Sequence, residues 1–382
     1  MNPNVAAVDL APLLGILAAG ALIACLPLAW FWRRSAARKP ARRLQAFAWF
    51  VLFLSFDLVL LGAFTRLSDS GLGCPDWPGC YGHVTPIGAS APIAAAEARI
   101  PTGAVTTTKA WIEMLHRYSA TAIGALVLVL AGAALLAARR RGGTVRARWA
   151  VATLLWILVQ GAFGALTVAW RLYPAIVTLH LLGGLGLLAL LAIQAERYGP
   201  QPMPLAPTLR AGLLAVAALT VVQIALGAWV SSNYAVLACR DFPTCQGRWW
   251  PDMDFAQGFV VRRPLGLGSD GYLPFAALTA IHMAHRLGAL ILLPTLLVFA
   301  ARLHRAGAAA RSWALALLLI AAWQAASGLG NVLLGWPLAA AVAHTAGAAA
   351  LVVVLTVLIA RSTPVRAVQP WVEAGGAAAL AS

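Results

Sequence analysis

Nine apolar stretches, each about twenty residues or longer and separated by polar segments, constrain this chain more than any other feature. They lie near 10–32, 44–64, 112–137, 149–169, 175–195, 211–230, 275–301, 312–333 and 338–360. A helix that crosses the hydrocarbon core of a bilayer needs about 20 such residues, and only helices or closed barrels satisfy their own backbone there. Composition agrees. Of 382 residues, 61% are hydrophobic and 10% charged, against roughly 45–50% and about 25% in soluble domains. A soluble globular enzyme is excluded, and the expected fold is all-α and integral to a membrane.

The net charge of +16 reads first as a topology signal. The first stretch lacks a basic leader, and Arg33 and Arg34 follow it rather than a small-residue cleavage site, so it is expected to be a retained helix. Of 28 Lys and Arg, 18 fall on alternate connections, six of them between Arg33 and Arg43 and five between Arg139 and Arg148. Basic connections face the cytoplasm. The expectation is nine spans in a bacterial inner membrane, with the N-terminus outside and the C-terminus cytoplasmic. The lipid bilayer accounts for the charge, and nucleic acid is not an expected partner. Two long outer loops, roughly 65–110 and 231–274, carry four of the five cysteines. An exported face permits disulfides.

An internal repeat organises the chain. Gly62-Ala63 ends one helix and Gly227-Ala228 ends another, 165 residues later. At the same offset CPDWPGC (Cys74 to Cys80) matches CRDFPTC (Cys239 to Cys245). "EMLHR" (Glu113 to Arg117) aligns with "HMAHR" (His282 to Arg286), and Gln160, Gly164 and His180 align with Gln324, Gly328 and His344. The expected architecture is two tandem four-helix transmembrane bundles in parallel orientation, plus one extra N-terminal helix. The expected segments are 1–43 for that helix and a basic loop, 44–195 for the first half, 196–210 for a cytoplasmic linker, 211–360 for the second half and 361–382 for a cytoplasmic tail.

Four of the seven histidines occupy paired positions, His116 with His180 and His285 with His344, all near the outer ends of their helices. An ionisable residue within a span is costly and usually functional. A histidine can also serve only as a hydrogen-bonding link between helices. Two facing imidazoles in a four-helix bundle form an axial cage for haem iron. Structural zinc wants four ligands, and copper more often recruits Cys or Met. Small residues such as Gly183-Gly184 and Ala346 to Ala350 leave room for a macrocycle, and equally suit helix packing. Arg117 and Arg286 follow their histidines at the water boundary. There they can pair with a haem propionate or mark the helix end by snorkelling.

The halves differ three residues before the first histidine, where one has Glu113 and the other His282. That spacing puts Glu113 on the face of His116. A carboxylate there can act as a base or stabilise a developing cation, or it can pair with Arg117 or Lys109. The asymmetry predicts that the first half does chemistry while the second holds a permanent redox group. His282 is expected to be structural, Cys25 a packing residue, and His83 and His304 loop residues. Each Cys-x5-Cys can close a disulfide that stiffens a cap, or serve as a redox pair.

The run "GAFTRLSDSGLGCPDWPGCYG", the "EMLHR" helix and the paired histidines resemble the haem A synthase family, over nearly all of 44–360. The resemblance implies an oxidoreductase that converts a ring methyl of haem O to a formyl group. It implies haem b on His285 and His344, the substrate haem on His116 and His180, and a functional glutamate at Glu113. It also implies cysteine pairs Cys74–Cys80 and Cys239–Cys245, the first linked to activity. Expected partners are the haem O substrate, haem O synthase (the farnesyltransferase), and an electron carrier or cytochrome oxidase assembly factors. The family typically has eight helices, and the run at 10–32 makes nine here. A quinol-linked di-haem b cytochrome is the alternative reading, and the Glu113/His282 difference counts against it. A haem transporter would want inverted repeats or broken helices.

The charge pattern generates a direct check. Alkaline phosphatase fused after position 90 is expected to be active, and fused after position 142 inactive. The reverse pattern would overturn the assigned orientation.

Overall fold

The computed structural model describes residues 11–141, 144–262 and 273–362. Most of the tail expected over 361–382 and part of the second long loop lie outside these residues. Among the described residues the chain is helical, without strands. Nine helices are long and apolar enough to cross a membrane. They are α1 (Ala11–Arg34), α2 (Pro40–Leu67), α4 (Thr107–Arg141), α5 (Thr144–Ala169), α6 (Pro174–Tyr198), α7 (Pro207–Ser232), α9 (Phe275–Arg305), α10 (Ala308–Leu333) and α11 (Leu338–Ser362). Two short helices in the long loops, α3 (Ser90–Arg99) and α8 (Phe255–Gly258), carry no apolar run and were not expected.

Local sequence sets the helix ends. Pro40, Pro174 and Pro207 stand in the first turn of α2, α6 and α7, where a missing N–H costs nothing. Ser and Thr within the spans return their hydroxyls to the backbone, as Ser55 does to the Val51 carbonyl at 2.7 Å and Thr220 to the Val216 carbonyl at 2.8 Å. In hydrocarbon this satisfies a group that has no water. Helix α4 is 35 residues long and extends past its apolar run at both ends, ending on Arg139 to Arg141.

Helix α2 packs on α4 and α6, and both of these flank α5. Helix α7 packs on α9 and α11, and both of these flank α10. The two groups meet where α6 touches α7 and α11, and where α11 touches α2. Helix α1 lies to one side against α4, with Gly20 letting Thr121 approach. One core contains Phe47, Val51, Leu126, Leu130 and Leu191, and a second contains Leu213, Leu296, Leu303, Leu317 and Leu358.

The seam between the groups joins residues 165 positions apart. At one end Arg66 Nη2 donates to the Ser231 carbonyl at 2.6 Å, and the Tyr234 hydroxyl donates to Asp69 Oδ1 at 3.2 Å. At the other end Arg361 Nη2 donates to Glu196 Oε1 at 2.9 Å. Val59 and Ile224, and likewise Leu188 and Val353, meet in one apolar cluster between them.

The long loops fold as caps with matching detail. Cys74 is bonded to Cys80 and Cys239 to Cys245. Trp77–Pro78 and Phe242–Pro243 are both cis. Asp76 accepts from the N–H groups of Tyr81 and Gly82 at 2.6 and 2.7 Å. Asp241 accepts from those of Gln246 and Gly247 at 2.7 and 3.0 Å, and from the Thr244 hydroxyl at 2.6 Å. Tyr81 and Gln246 both sit at positive φ, 49° and 57°, which turns the next N–H back toward the aspartate.

The Thr244 hydroxyl and these N–H groups hold the Asp241 carboxyl down at about 2, below the ordinary carboxylate value of about 3.9. A depressed native value gives support that is complete above the ordinary range and disappears as pH falls through the native one. The second cap is therefore expected to resist protease at pH 5 and loosen as pH approaches 2, with Asp241→Asn loosening it at neutral pH. Equal protection at both pH values would contradict this. In the seam, Glu196 is 3% exposed, so Glu196→Ala leaves Arg361 poorly compensated. The expected cost is up to about 3 kcal/mol, read as a lower melting temperature in detergent.

Candidate functional site

The four paired histidines each sit against a glycine of a neighbouring helix. A Cβ added at Gly62 on α2 would meet His116 Nε2 of α4 at 2.9 Å, and one at Gly164 on α5 would meet His180 Cε1 of α6 at 3.6 Å. One at Gly227 on α7 would meet His285 Cε1 of α9 at 2.9 Å, and one at Gly328 on α10 would meet His344 Cε1 of α11 at 3.2 Å. Without a side chain at these points the imidazoles lie between helices. These glycines belong to the site. The sequence carried them as repeat markers, and their function as ring seats was not legible there.

His285 and His344 face each other with ring centroids 6.4 Å apart and planes at 85°. A metal–imidazole nitrogen bond is about 2.0–2.1 Å long, so two rings trans on one iron have centroids roughly 6 Å apart. The separation fits an axial couple. His116 on α4 and His180 on α6 are seated against Gly62 of α2 and Gly164 of α5. Among the described residues there is no group of three or more His, Cys, Asp or Glu suited to a metal ion. Each couple therefore offers two axial nitrogens and no closed coordination sphere. Buried polar atoms stand without partners near this level, including Gln160 Oε1, Gln324 Oε1 and His180 Nδ1. These residues fit a planar cofactor with two open axial positions.

Glu113 is 4% exposed. The Cys74 N–H donates to its Oε2 at 2.8 Å, and Arg117 Nη2 donates to its Oε1 in a short ion pair. Arg117 Nη1 donates to the carbonyls of Asp76 at 2.9 Å and Pro78 at 3.1 Å, and more closely to that of Gly79. One guanidinium thus binds the first cap, the carboxylate and α4 together. Arg286 does the same work in the other loop. It donates to the carbonyls of Thr244 at 2.8 Å, Asp241 at 2.9 Å and Cys239 at 3.1 Å. Charge-assisted bonds of this kind are about twice as strong as neutral ones. Both arginines thus tie cap carbonyls to the helix that carries the histidine. Lys109 instead pairs with Asp69 at 3.3 Å.

His282, at the position matching Glu113, is 4% exposed and its Nδ1 has no partner. Cys25 is free and exposed on α1, not packed in a core as expected. A lipid-facing position in this outlying helix is the reason. His83 and Cys80 exchange backbone hydrogen bonds in the first cap.

The model of the COX15-CtaA family, "Cytochrome oxidase assembly protein", matches residues 45–356. The chain is similar to the "Heme A synthase" of Shewanella oneidensis, 39% identical over 314 residues, which cover 80% of this chain and 93% of that relative. It is also similar to proteins of the same name from Rhizorhabdus wittichii, 29% identical over 83% of this chain and 94% of the relative, and Caulobacter vibrioides, 28% identical over 83% and 95%. Helix α1 precedes the stretch that the family model covers. The matched span contains both histidine couples, Glu113 and both cysteine loops, and the chain belongs to the COX15-CtaA family of cytochrome oxidase assembly proteins.

Proposed function

We propose that this protein is a haem A synthase, which oxidises one ring methyl of haem O to the formyl group of haem A. The observation that carries the reading is the two histidine couples seated against glycines, of which only the first has a buried carboxylate three residues away.

In this reading the chain is two tandem four-helix halves, expected over 44–195 and 211–360, and the linker expected over 196–210 narrows to 199–206 because α6 runs to Tyr198 and α7 begins at Pro207. The meeting of residues 165 apart at both ends and in the middle of the seam supports it. Positions that are equivalent in two parallel repeats, or one residue from equivalent as on α6 and α11, touch each other only along the axis that relates them. The extra helix, 1–43 with its basic loop, stands outside this pair. The protein resides in a bacterial inner membrane with its N-terminus outside and the segment 361–382 cytoplasmic.

His285 and His344 hold haem b, which supplies one-electron transfer when bound. His116 and His180 hold the substrate iron from both sides, which leaves no position on it for oxygen. Oxidation then draws electrons from the ring. Loss of two electrons and a proton from the methyl gives a cation. Water adds to it and gives up a proton to leave a hydroxymethyl group. A second round gives a geminal diol, which loses water to become the formyl group. Glu113 lies one helical turn from His116 and accepts from the N–H groups of Cys74 and Gly73 and from Arg117, so in this reading it serves as an acceptor. It stabilises the cation or takes the proton of the attacking water. Arg117 and Arg286 act through the caps, locking each loop above its couple. Because the Cys74 N–H holds Glu113, the Cys74–Cys80 bridge positions the carboxylate. Haem b held by His285 and His344 would supply the one-electron transfer that this oxidation needs, with an external electron carrier as the oxidant. Haem O synthase as the source of substrate and assembly factors as recipients of product complete the partners.

Isotope tracing tests the water route. Oxygen-18 from labelled water is expected in the formyl group, and a formyl oxygen drawn solely from molecular oxygen would overturn it. Glu113→Gln is expected to lower turnover by roughly 10²–10⁴-fold, the usual range for a general base, while haem b is retained. Unchanged turnover would remove its role.

A further inference from the structure

The two couples are held differently, and this difference is separate from Glu113 and His282. Ser327 Oγ donates to the Trp323 carbonyl at 2.7 Å and lies 2.9 Å from His344 Nδ1. A hydroxyl has one proton. With that proton committed to Trp323, the oxygen meets Nδ1 with a lone pair, so Nδ1 carries the hydrogen. The lone pair of the imidazole is then on Nε2, which is the form that binds a metal. His285 is held differently. Gln223 Nε2, which can only donate, lies 3.0 Å from its Nδ1 and donates to the His285 carbonyl at 2.9 Å, so this contact ties ring and helix to α7 but does not set the tautomer that Ser327 sets for His344.

The first half has no counterpart. The 164-residue offset that relates His180 to His344 relates Phe163 to Ser327, and the 165-residue offset that relates Gly62 to Gly227 relates Leu58 to Gln223. Phenylalanine and leucine neither accept nor donate. His180 Nδ1 is buried with no partner.

We propose that Ser327 is a positioning residue that locks His344 as a permanent iron ligand, and that Phe163 withholds the same lock from His180 so that the first site can exchange its haem. The inference rests on the assignment of substrate haem to the first half and haem b to the second. It supplies a physical reason for that division. A redox haem stays for the life of the protein, whereas a substrate must enter and a product must leave. A ligand whose second nitrogen is hydrogen-bonded keeps its orientation and its electron-donating character. One without that bond turns away from the metal more readily.

The test uses the purified full-length protein with its haem. An Nδ1–H···O bond makes an imidazole more electron-rich and favours ferric iron. Ser327→Ala is therefore expected to raise the haem b midpoint potential and shift its low-spin ferric resonance, and Ser327→Thr to restore both. A potential and resonance unchanged by Ser327→Ala would overturn the role of Ser327. Phe163→Ser is expected to increase the fraction of protein that retains haem O or its oxidised forms after purification, measured by pigment extraction. An unchanged fraction would overturn the role given to Phe163. His344→Ala separates the underlying assignment. Loss of the low-spin haem b signal is expected, and a full, unaltered signal would overturn the ligand assignment itself rather than the positioning by Ser327.

Discussion

The absence of water from the bilayer core governs this structure. Every backbone N–H and C=O must be paired within its own segment, so the chain resolves into long helices. The apolar side chains between those helices gain little from leaving lipid that is as apolar as they are. Association then rests on close packing and on the few polar contacts that packing permits. Glycines are where close packing is available, and each paired histidine lies against one. The seats for the imidazoles and the contact points between helices are the same positions. The helices come together there because the side chain is missing, and the ring enters the space that remains.

Outside the hydrocarbon the problem reverses, and long loops must be held in shape beside water. Each cap uses a disulfide and an aspartate that gathers two successive N–H groups. An arginine from the helix below then binds the loop carbonyls. A guanidinium with five donors in a fixed fork can serve several carbonyls at once, which a lysine cannot. In the first cap the same guanidinium also holds Glu113, so loop, disulfide and carboxylate form one rigid unit. This gives the first cysteine pair a physical connection to Glu113.

Much of this was legible in sequence. Nine apolar runs became nine long helices, because lipid leaves so few alternatives to the backbone. The histidine couples and cysteine pairs were legible because rare residue types repeated in the same order at closely similar offsets of 164 to 169 residues. The two short loop helices were not, since an aqueous segment with no apolar periodicity has no single signature. Ser327 and Gln223 were also missed. A serine or glutamine in a span most often bonds its own backbone, and nothing local distinguishes one that reaches a ring on another helix.

The sequence by itself determined the helical membrane fold, the 165-residue correspondence and the identity of the ionisable residues, because hydrophobic length and the cost of buried charge act along the chain. Only the tertiary structure decided which atoms those residues face. Arg117 and Arg286 stood at a water boundary with two destinations open, and the folded caps brought carbonyls to both. His180 and His344 were equivalent in sequence, and the neighbouring helix gave one a hydroxyl and the other none. Hydrogen bonds across helices depend on rotation and separation to within a fraction of an ångström, and a one-dimensional pattern does not carry that information.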